Sequence, residues 1–200
     1  MNVYDAMKVT LLDCTLNAEQ KIGRAASICY DAKTDGTSNL KRAIHCKDKG
    51  HLATLRFAYA TVNISGISRV CSHQLVRIAH AGILQESQRY VEQSQIVWID
   101  PPSLQTVSQE TRQIVSRLQN LSEATYHRLL DDGMKKEDAR YYLLQQCNTQ
   151  LNLCLNFQAW QDMLKNRTKK AAQWEIRAVA IAIQNELNTI APNLFEKIEP

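Results

Sequence analysis

The stretch LRFAYATVNISGISRVCSHQLVRIAHA, residues 55–81, changes its residue pattern part-way along. Residues 55–64 alternate well enough between apolar and polar side chains to predict a half-buried β-strand. From residue 65 to residue 81 the apolar positions recur at helical spacing, so a helix is predicted to follow the strand after Gly66. A strand followed directly by a helix favours a fold in which helices pack on a sheet.

Further strands and long helices are predicted on both sides of this stretch. A strand is predicted over residues 7–13 and a strand or extended segment over 149–157, and helices are predicted over 17–31, 38–49, 108–133, 136–146 and 170–190. Gly50 and Gly133 end two of these helices, and the last one ends before Pro192. This order predicts the α+β class, with a mostly antiparallel sheet flanked by long helices in a single domain over residues 1–200.

The composition narrows the classes of function. A formal net charge of +4 is mild and the basic residues are spread out, which fits a small anionic ligand better than duplex nucleic acid. The apolar runs are far shorter than the roughly 20 residues that cross a bilayer, so membrane insertion is not expected. The six cysteines form no CxxC pair and no signal-peptide layout is present, so we predict reduced thiols and a cytoplasmic location.

Polar residues concentrate in residues 74–90, QLVRIAHAGILQESQRY. Ser87 and Arg89 are two residues apart, so in an extended backbone they point the same way and can hold a phosphate through a hydroxyl and a guanidinium. Three further arginines could converge on the same anion: Arg77, Arg140 and Arg167. Taken singly, each of these arginines is more typical of a surface or an ion pair. No base is identifiable beside Ser87, so we interpret it as a ligand-binding residue rather than a nucleophile.

The histidines do not have the spacing of a metal site. His45, His51, His73, His80 and His127 form neither HExxH nor ligand sets with nearby cysteines, so no metal is predicted. Several polar residues recur instead at three- and four-residue intervals, and are predicted to share one face of the helix over residues 65–81: His73, Gln74, Arg77 and His80.

Several motifs together resemble those of flavin-dependent thymidylate synthases. They are residues 68–90, EDAR at 137–140, Asn156, Arg167 and AQWEIR at 172–177, and the resemblance extends from about residue 9 to residue 195. In that family a homotetramer uses FAD to carry a methylene group from methylenetetrahydrofolate to C5 of dUMP and then reduces it with hydride from NADPH. The resemblance therefore implies a homotetrameric dUMP methyltransferase with FAD as its cofactor and the folate and NADPH as co-substrates.

The resemblance also implies a dUMP site. Its substrate-binding residues would be Gln74, Arg77, Gln85, Glu86, Ser87, Gln88, Arg89, Arg140 and Arg167, with the backbone of residues 85–88. Arg140 would reach the nucleotide from another subunit. Arg167 would be the catalytic residue, because a fixed cation against the uracil ring stabilises negative charge as N3 ionises.

The cofactor side of the family pattern is altered in this chain. The positions that the resemblance assigns to the cofactor are His51, Arg77, His80, Asn156, Gln158 and Asp162. The family has Arg-His-Arg where this chain has residues 77–79, RIA, a glutamate where it has Arg56, and an arginine where it has Gln158. The changes therefore cluster around the flavin. His80, on the same predicted helix face as Arg77, could return an imidazole, and Arg56 could supply a cation.

Two other functions fit the same motifs. One keeps the nucleotide pocket but performs flavin-independent chemistry at C5 of a pyrimidine nucleotide, for instance hydroxymethylation. The other is a non-catalytic dUMP-binding paralogue that regulates or accompanies an active relative. The mass of the product distinguishes hydroxymethylation from methylation, whereas tight dUMP binding without flavin or turnover would favour the paralogue.

Overall fold

The computed structural model describes residues 7–198 of the chain. Its four strands are β1 (Lys8–Cys14), β2 (Tyr59–Ser68), β3 (Gly82–Gln85) and β4 (Asn148–Asn156), in the sheet order β1-β2-β4-β3. Its α-helices are α1 (Ala18–Ser27), α2 (Gly36–Asp48), α3 (Arg69–Leu75), α4 (Gln109–Asp131), α5 (Lys136–Ala139), α6 (Phe157–Arg167) and α7 (Trp174–Ile190). Short 3-10 helices cover Ile28–Tyr30, Leu52–Phe57, Pro102–Thr106 and Arg140–Tyr142. The predicted α+β class with an antiparallel sheet is confirmed.

The chain divides into two compact units, here called the first and second unit. The first comprises Met7, Ser65–Arg77 and Leu84–Leu151, and the second comprises Lys8–Ile64, Ile78–Ile83 and the residues from Asn152 onward. β2, β3 and β4 each contribute residues to both units. The single domain predicted over residues 1–200 stays a prediction.

In the first unit, the long helix α4 buries polar and aromatic side chains more than aliphatic ones. Tyr126 is fully buried and its hydroxyl accepts the backbone N–H of Gln93 at 3.2 Å. Ser122 donates to the carbonyl of Tyr142 at 2.6 Å, which fixes the chain that follows α5. Ser108 caps the start of α4 by accepting the N–H of Thr111, so the predicted start of this helix is correct to within one residue.

In the second unit, close helix packing and a capped aromatic core hold the fold. Gly23 of α1 lies against the backbone of Asn39 in α2, where a Cβ atom would overlap the Asn39 carbonyl. The buried Trp160 of α6 donates its indole N–H to the carbonyl of Ala60 in β2 at 3.2 Å. α7 buries the apolar face predicted for it, including Ile176, Val179, Ile183 and Leu187.

The strand predicted over residues 55–64 lies further along the chain. Residues 52–57 form a 3-10 helix, and β2 continues past the predicted end to Ser68. Gly66 does not start a helix, because its φ of 67° allows the strand to continue with a local irregularity. The alternate burial of Ala60, Val62 and Ile64 then resumes at Ile67.

The helix predicted over residues 65–81 is much shorter. α3 starts only after Ser68, whose hydroxyl accepts the N–H of Cys71 at 3.0 Å, and it ends at Leu75. The next strand, β3, was not predicted. It follows within a few residues and pairs with β4, so the chain leaves the helix early.

Two other helix predictions are wrong. The helix expected over residues 136–146 is only α5 and one 3-10 turn, because Trp98 and Cys147 then form an isolated antiparallel bridge. α6 was missed, and the final helix starts at Trp174 rather than residue 170. Side-chain caps set the starts of these last two helices. Asn156 accepts the N–H of Ala159 at the start of α6, and Gln173 accepts the N–H groups of Glu175 and Ile176 at the start of α7.

Of the helices within residues 7–198, none combines the length and the apolar character that crossing a membrane requires.

Candidate functional site

The loop after β3 carries the Ser87 and Arg89 pair. The carbonyl of Ser87 accepts the N–H groups of Tyr90 at 3.1 Å and Val91 at 2.9 Å, so the backbone turns here. The predicted extended conformation is therefore wrong. The two residues still lie together, since the Ser87 hydroxyl accepts the N–H of Arg89 at 3.3 Å.

The side chains of Gln85 and Glu86 fix this loop to the first unit. Gln85 donates from Nε2 to the hydroxyls of Ser72 at 3.0 Å and Thr149 at 3.2 Å. Glu86 accepts from Gln150 at 2.9 Å through one carboxylate oxygen, and its backbone N–H donates to the Gln150 carbonyl, also at 2.9 Å. Gln85 and Glu86 are predicted to bind dUMP. In this structure their side chains hold the loop in place.

Arg89 and Arg140, two of the predicted phosphate ligands, both contact Glu137 of their own chain. Arg89 places Nε and Nη2 each 2.9 Å from the same carboxylate oxygen of Glu137. Arg140 donates from Nε to the backbone carbonyl of Glu137 at 3.0 Å. The sequence motif EDAR thus places a carboxylate and a guanidinium beside the Ser87 loop.

A cavity of about 220 Å³ in the first unit, here called the anion cavity, contains an unpaired cation. It is lined by Arg69, Gln88, Arg140, Tyr141, Leu143, Leu144, Gln145 and Cys147. Arg69 Nη1 is buried and makes no hydrogen bond with any residue of the described part of the chain. A buried donor without a partner costs about 1–3 kcal/mol and more when it is charged, so this nitrogen of the half-buried Arg69 side chain favours an acceptor in the cavity.

Arg69 was missed by the sequence analysis, although its position carried a signal. It is the first residue of α3, directly after the Ser68 cap. The positive end of a helix dipole disfavours a cation at this point. Arg69 therefore gains nothing from the helix dipole, and its unpaired Nη1 is the observation that bears on a ligand.

Gln88 and Cys147 form the buried wall of the anion cavity. The Gln88 amide donates to Cys147 Sγ at 3.4 Å, and both residues are buried. Burial raises the pKa of the Cys147 thiol, against the opposing effects of the Gln88 hydrogen bond and the Arg69 charge. Cys147 is therefore a protonated, inert thiol at neutral pH.

The predicted helix face shared by Gln74, Arg77 and His80 does not exist. Gln74 is half-buried near the end of α3, whereas Arg77 is exposed in the turn that follows it. His80 has a left-handed backbone with a φ of 60°, outside any helix. Arg77 makes no side-chain hydrogen bond or ion pair with residues 7–198, so its charge is free for a ligand.

The second unit has a larger cavity, of about 830 Å³, here called the large cavity. It is lined by Arg56, Ile78, Ala79, His80, Asn156, Gln158, Ala159, Asp162, Met163, Asn166 and Arg167. Of the predicted cofactor residues, four lie in this lining: His80, Asn156, Gln158 and Asp162. His51 is exposed ahead of the 3-10 helix and lies outside the lining, and Arg77 belongs to the first unit.

The cations of the large cavity come from two elements. Arg56, on the 3-10 helix, donates from Nε to Gln158 Oε1 of α6 at 2.6 Å. Arg167 is half-buried at the end of α6 and its side chain has no hydrogen-bond or ion-pair partner among the described residues. Asn156 uses its side-chain oxygen to cap α6, which leaves its amide group for a ligand.

Comparison with known proteins identifies the family. The model of the family "Thymidylate synthase complementing protein" matches residues 10–193. The chain belongs to this family. Flavin-dependent thymidylate synthases from Clostridium tetani and Geobacter sulfurreducens are 30% and 32% identical to it, over 97% of this chain and 87% and 88% of the relatives. One from Sulfurisphaera tokodaii is 34% identical over 76% of this chain and 58% of the relative.

The predicted resemblance and the predicted enzyme type are therefore both confirmed for this member of the thymidylate synthase complementing protein family. The cations of its two cavities remain available to anionic ligands, since Arg69 Nη1 and the Arg167 side chain have no described partner. Among residues 7–198, no three His, Cys, Asp or Glu side chains form a group that could hold a metal ion.

Proposed function

We propose that this family member methylates dUMP at C5 to give dTMP, with methylenetetrahydrofolate as carbon donor, FAD as cofactor and NADPH as reductant. Two relatives that each align with 97% of this chain carry the name flavin-dependent thymidylate synthase. The observation that carries the proposal is the unpaired, buried Nη1 of Arg69 in the anion cavity. A buried guanidinium nitrogen without a partner can be satisfied by a small anion, and a nucleotide phosphate is such an anion.

The phosphate of dUMP is proposed to bind in the anion cavity. Arg69 and Arg140 line the same anion cavity, so together they can neutralise a phosphate dianion. The proposal thus uses Arg140 within its own chain, and not from another subunit as the resemblance implies. The hydroxyl of Ser87 and the guanidinium of Arg89 lie on one turn and would add a second set of donors. This assignment extends the predicted phosphate ligands by one residue, Arg69.

Arg167 is proposed as the catalytic residue that faces the uracil ring. Its side chain is half-buried and has no anionic partner among the described residues, so its charge is not neutralised within the chain. A fixed guanidinium stabilises the ring as N3 loses its proton and C5 becomes nucleophilic. Arginine suits this role because it stays charged and presents paired, planar donors to the uracil edge.

The large cavity is proposed as part of the FAD site. Its volume of about 830 Å³ and its cations, Arg56 and Arg167, fit an anionic cofactor of this size. Arg56 uses Nε for Gln158, and its terminal nitrogens make no hydrogen bond with residues 7–198. When bound, FAD would pass the hydride from NADPH that reduces the transferred methylene group to a methyl group. Arg56, Asn156 and Gln158 would hold it.

Assembly into a homotetramer is part of the proposal. α4 leaves Ile114, Leu118 and Leu121 58%, 51% and 65% exposed at helical spacing, which is an apolar stripe without a partner in the described chain. Near the Ser87 loop, Tyr90 is 77% exposed. Large exposed apolar surfaces of this kind mark interaction sites.

The six free thiols agree with the proposed cytoplasmic location.

One observation favours the non-catalytic paralogue as a second candidate. Ile78 and Ala79 line the large cavity with apolar groups at the positions where the resemblance implies His and Arg. The losses would weaken flavin binding unless Arg56 and His80 compensate. Flavin-independent hydroxymethylation remains a third outcome of the same assay.

Two measurements test the proposed function. The visible absorption spectrum of purified protein, after incubation with excess FAD and gel filtration, is expected to show retained flavin. Tritium release from C5-labelled dUMP is expected to require FAD, NADPH and methylenetetrahydrofolate together. Tight dUMP binding with no retained flavin and no tritium release would replace the synthase with the paralogue.

A further inference from the structure

The Glu137 carboxylate forms an ion pair with the Arg89 guanidinium in the first unit. Arg89 Nε and Nη2 each lie 2.9 Å from one oxygen of the Glu137 carboxylate. These two nitrogens lie along one edge of the guanidinium, the edge that binds oxyanions with two parallel hydrogen bonds. A phosphate therefore cannot take this edge of Arg89 while Glu137 holds it.

The surroundings of Glu137 make its carboxylate a weaker partner for Arg89 than a phosphate would be. The side chains of Arg89 and Glu137 are 53% and 36% exposed, so solvent screens their attraction. Arg140 donates to the backbone carbonyl of Glu137 rather than to its carboxylate. Beside them, Arg69 has an unpaired nitrogen in the anion cavity that Arg140 also lines. A phosphate dianion can pair with more of these cations than one carboxylate can.

We propose that Glu137 is a placeholder: its carboxylate holds Arg89 in the absence of nucleotide and must leave when the phosphate of a nucleotide binds. The inference rests on the proposed function in one respect, that this cluster binds the phosphate of dUMP. Glu137 then lowers the affinity for phosphate-bearing ligands twice, by occupying Arg89 and by repelling the incoming dianion. It acts as a specificity-determining residue for the phosphate group and not for the base.

The test is the affinity of the Glu137→Gln variant for dUMP and for deoxyuridine, measured by isothermal titration calorimetry. Loss of the carboxylate is expected to lower the Kd for dUMP by roughly three- to tenfold, the range for losing an exposed ion pair and a nearby like charge. The Kd for deoxyuridine is expected to stay unchanged, because this ligand has no phosphate. A purely structural role of Glu137 would change both affinities or neither.

Glu92→Gln is the matched control. Glu92 forms an ion pair of similar exposure with Lys136 of α5, at 3.6 Å, whereas the acidic partner of Arg89 is Glu137. Its substitution is expected to leave both affinities unchanged. An equal gain in dUMP affinity from Glu92→Gln would mean that general surface charge, and not the contact with Arg89, sets the affinity, and would overturn the inference.

The inference and the proposed function fail in different ways. If the wild-type protein does not bind dUMP, the proposed function fails. If it binds dUMP while Glu137→Gln binds it equally well or more weakly, only the placeholder role is overturned. A second measurement needs no variant: crystals of wild-type protein with dUMP are expected to show Glu137 away from Arg89. A persisting ion pair beside the bound nucleotide would contradict this.

Discussion

Arg56 Nε donates a hydrogen bond of 2.6 Å to Gln158 Oε1 in the wall of the large cavity. The resemblance to the flavin-dependent thymidylate synthases implies a glutamate and an arginine at these two positions. In this chain the 3-10 helix therefore supplies the positive charge, on Arg56, and α6 supplies the neutral acceptor, Gln158. The structure shows that the altered positions contact each other, which favours compensation over independent loss.

Arg56→Ala is expected to weaken FAD binding by about tenfold or more, since hydrogen bonds to charged groups contribute roughly 1.5–3 kcal/mol. Flavin fluorescence during titration measures the affinity directly. Lys41→Ala, which changes an exposed cation of α2, is the control and is expected to have no effect. Equal FAD affinity in Arg56→Ala and wild type would remove Arg56 from the cofactor site.

Arg69→Met is expected to affect binding and stability in opposite directions. It removes a buried nitrogen that has no partner among residues 7–198, so thermal unfolding should occur at the same temperature or a higher one. The affinity for dUMP should fall by at least about tenfold, because a charged hydrogen bond to phosphate is lost. Calorimetric titration and a melting curve on the same sample measure both. Unchanged dUMP affinity would mean that Arg69 does not bind the phosphate.

Arg167→Lys is expected to bind dUMP nearly as well as wild type but to release tritium from C5 about a hundredfold more slowly. Lysine keeps the charge but lacks the planar pair of donors, and losing one such electrostatic contact typically costs about 10²–10³ in turnover. Lys165→Arg, on the exposed side of the same helix, is the control. Wild-type turnover in Arg167→Lys would contradict the catalytic role.

Gly23→Ala is expected to destabilise the second unit, because its Cβ would overlap the Asn39 carbonyl where α1 and α2 meet. Overpacking of this kind costs about 1–3 kcal/mol or more, and chemical denaturation measures it. Gly36→Ala is the matched control, since the nearest atom to its Cβ is the Gln20 side-chain nitrogen at 4.0 Å. Equal stability of both variants would mean that the two helices move apart freely.

Cys147 predicts a pH dependence of stability. Burial raises the pKa of this thiol in the folded state, so the unfolded chain releases the proton at a lower pH. The resulting stability is present below the ordinary thiol pKa of about 8.5 and is lost as the pH rises from there through the folded-state pKa. Denaturation at pH 7.5 and 9.5 measures the loss. A Cys147→Ala variant, less stable overall, is expected to show a smaller difference between the two pH values, and an unchanged difference would contradict this origin.

The long helices were predictable because local signals decide them. Periodic apolar residues and side-chain caps define α4 and the apolar face of α7 within the chain itself. β3 depends instead on pairing with β4, which the helical spacing of residues 65–81 does not reveal, and this strand begins soon after the short α3 ends. α6 was hidden because Asn156 ends an alternating strand and caps a helix at once.

The site was predictable only as far as its motifs extend. Ser87, Arg89 and Arg140 come from a recognisable string, and the structure brings Arg89 and Arg140 together on Glu137. The unpaired nitrogen of Arg69 depends on which neighbours surround it after folding, so no sequence spacing shows it. The same holds for the contact between Arg56 and Gln158, which are 102 residues apart.

The most direct test of the proposed function is the mass of the nucleotide recovered after incubating the purified protein with dUMP, methylenetetrahydrofolate, NADPH and FAD. The account predicts a product with the mass of dTMP, formed only when all four compounds are present. Recovery of unchanged dUMP, or of a hydroxymethylated nucleotide formed without FAD, would contradict it.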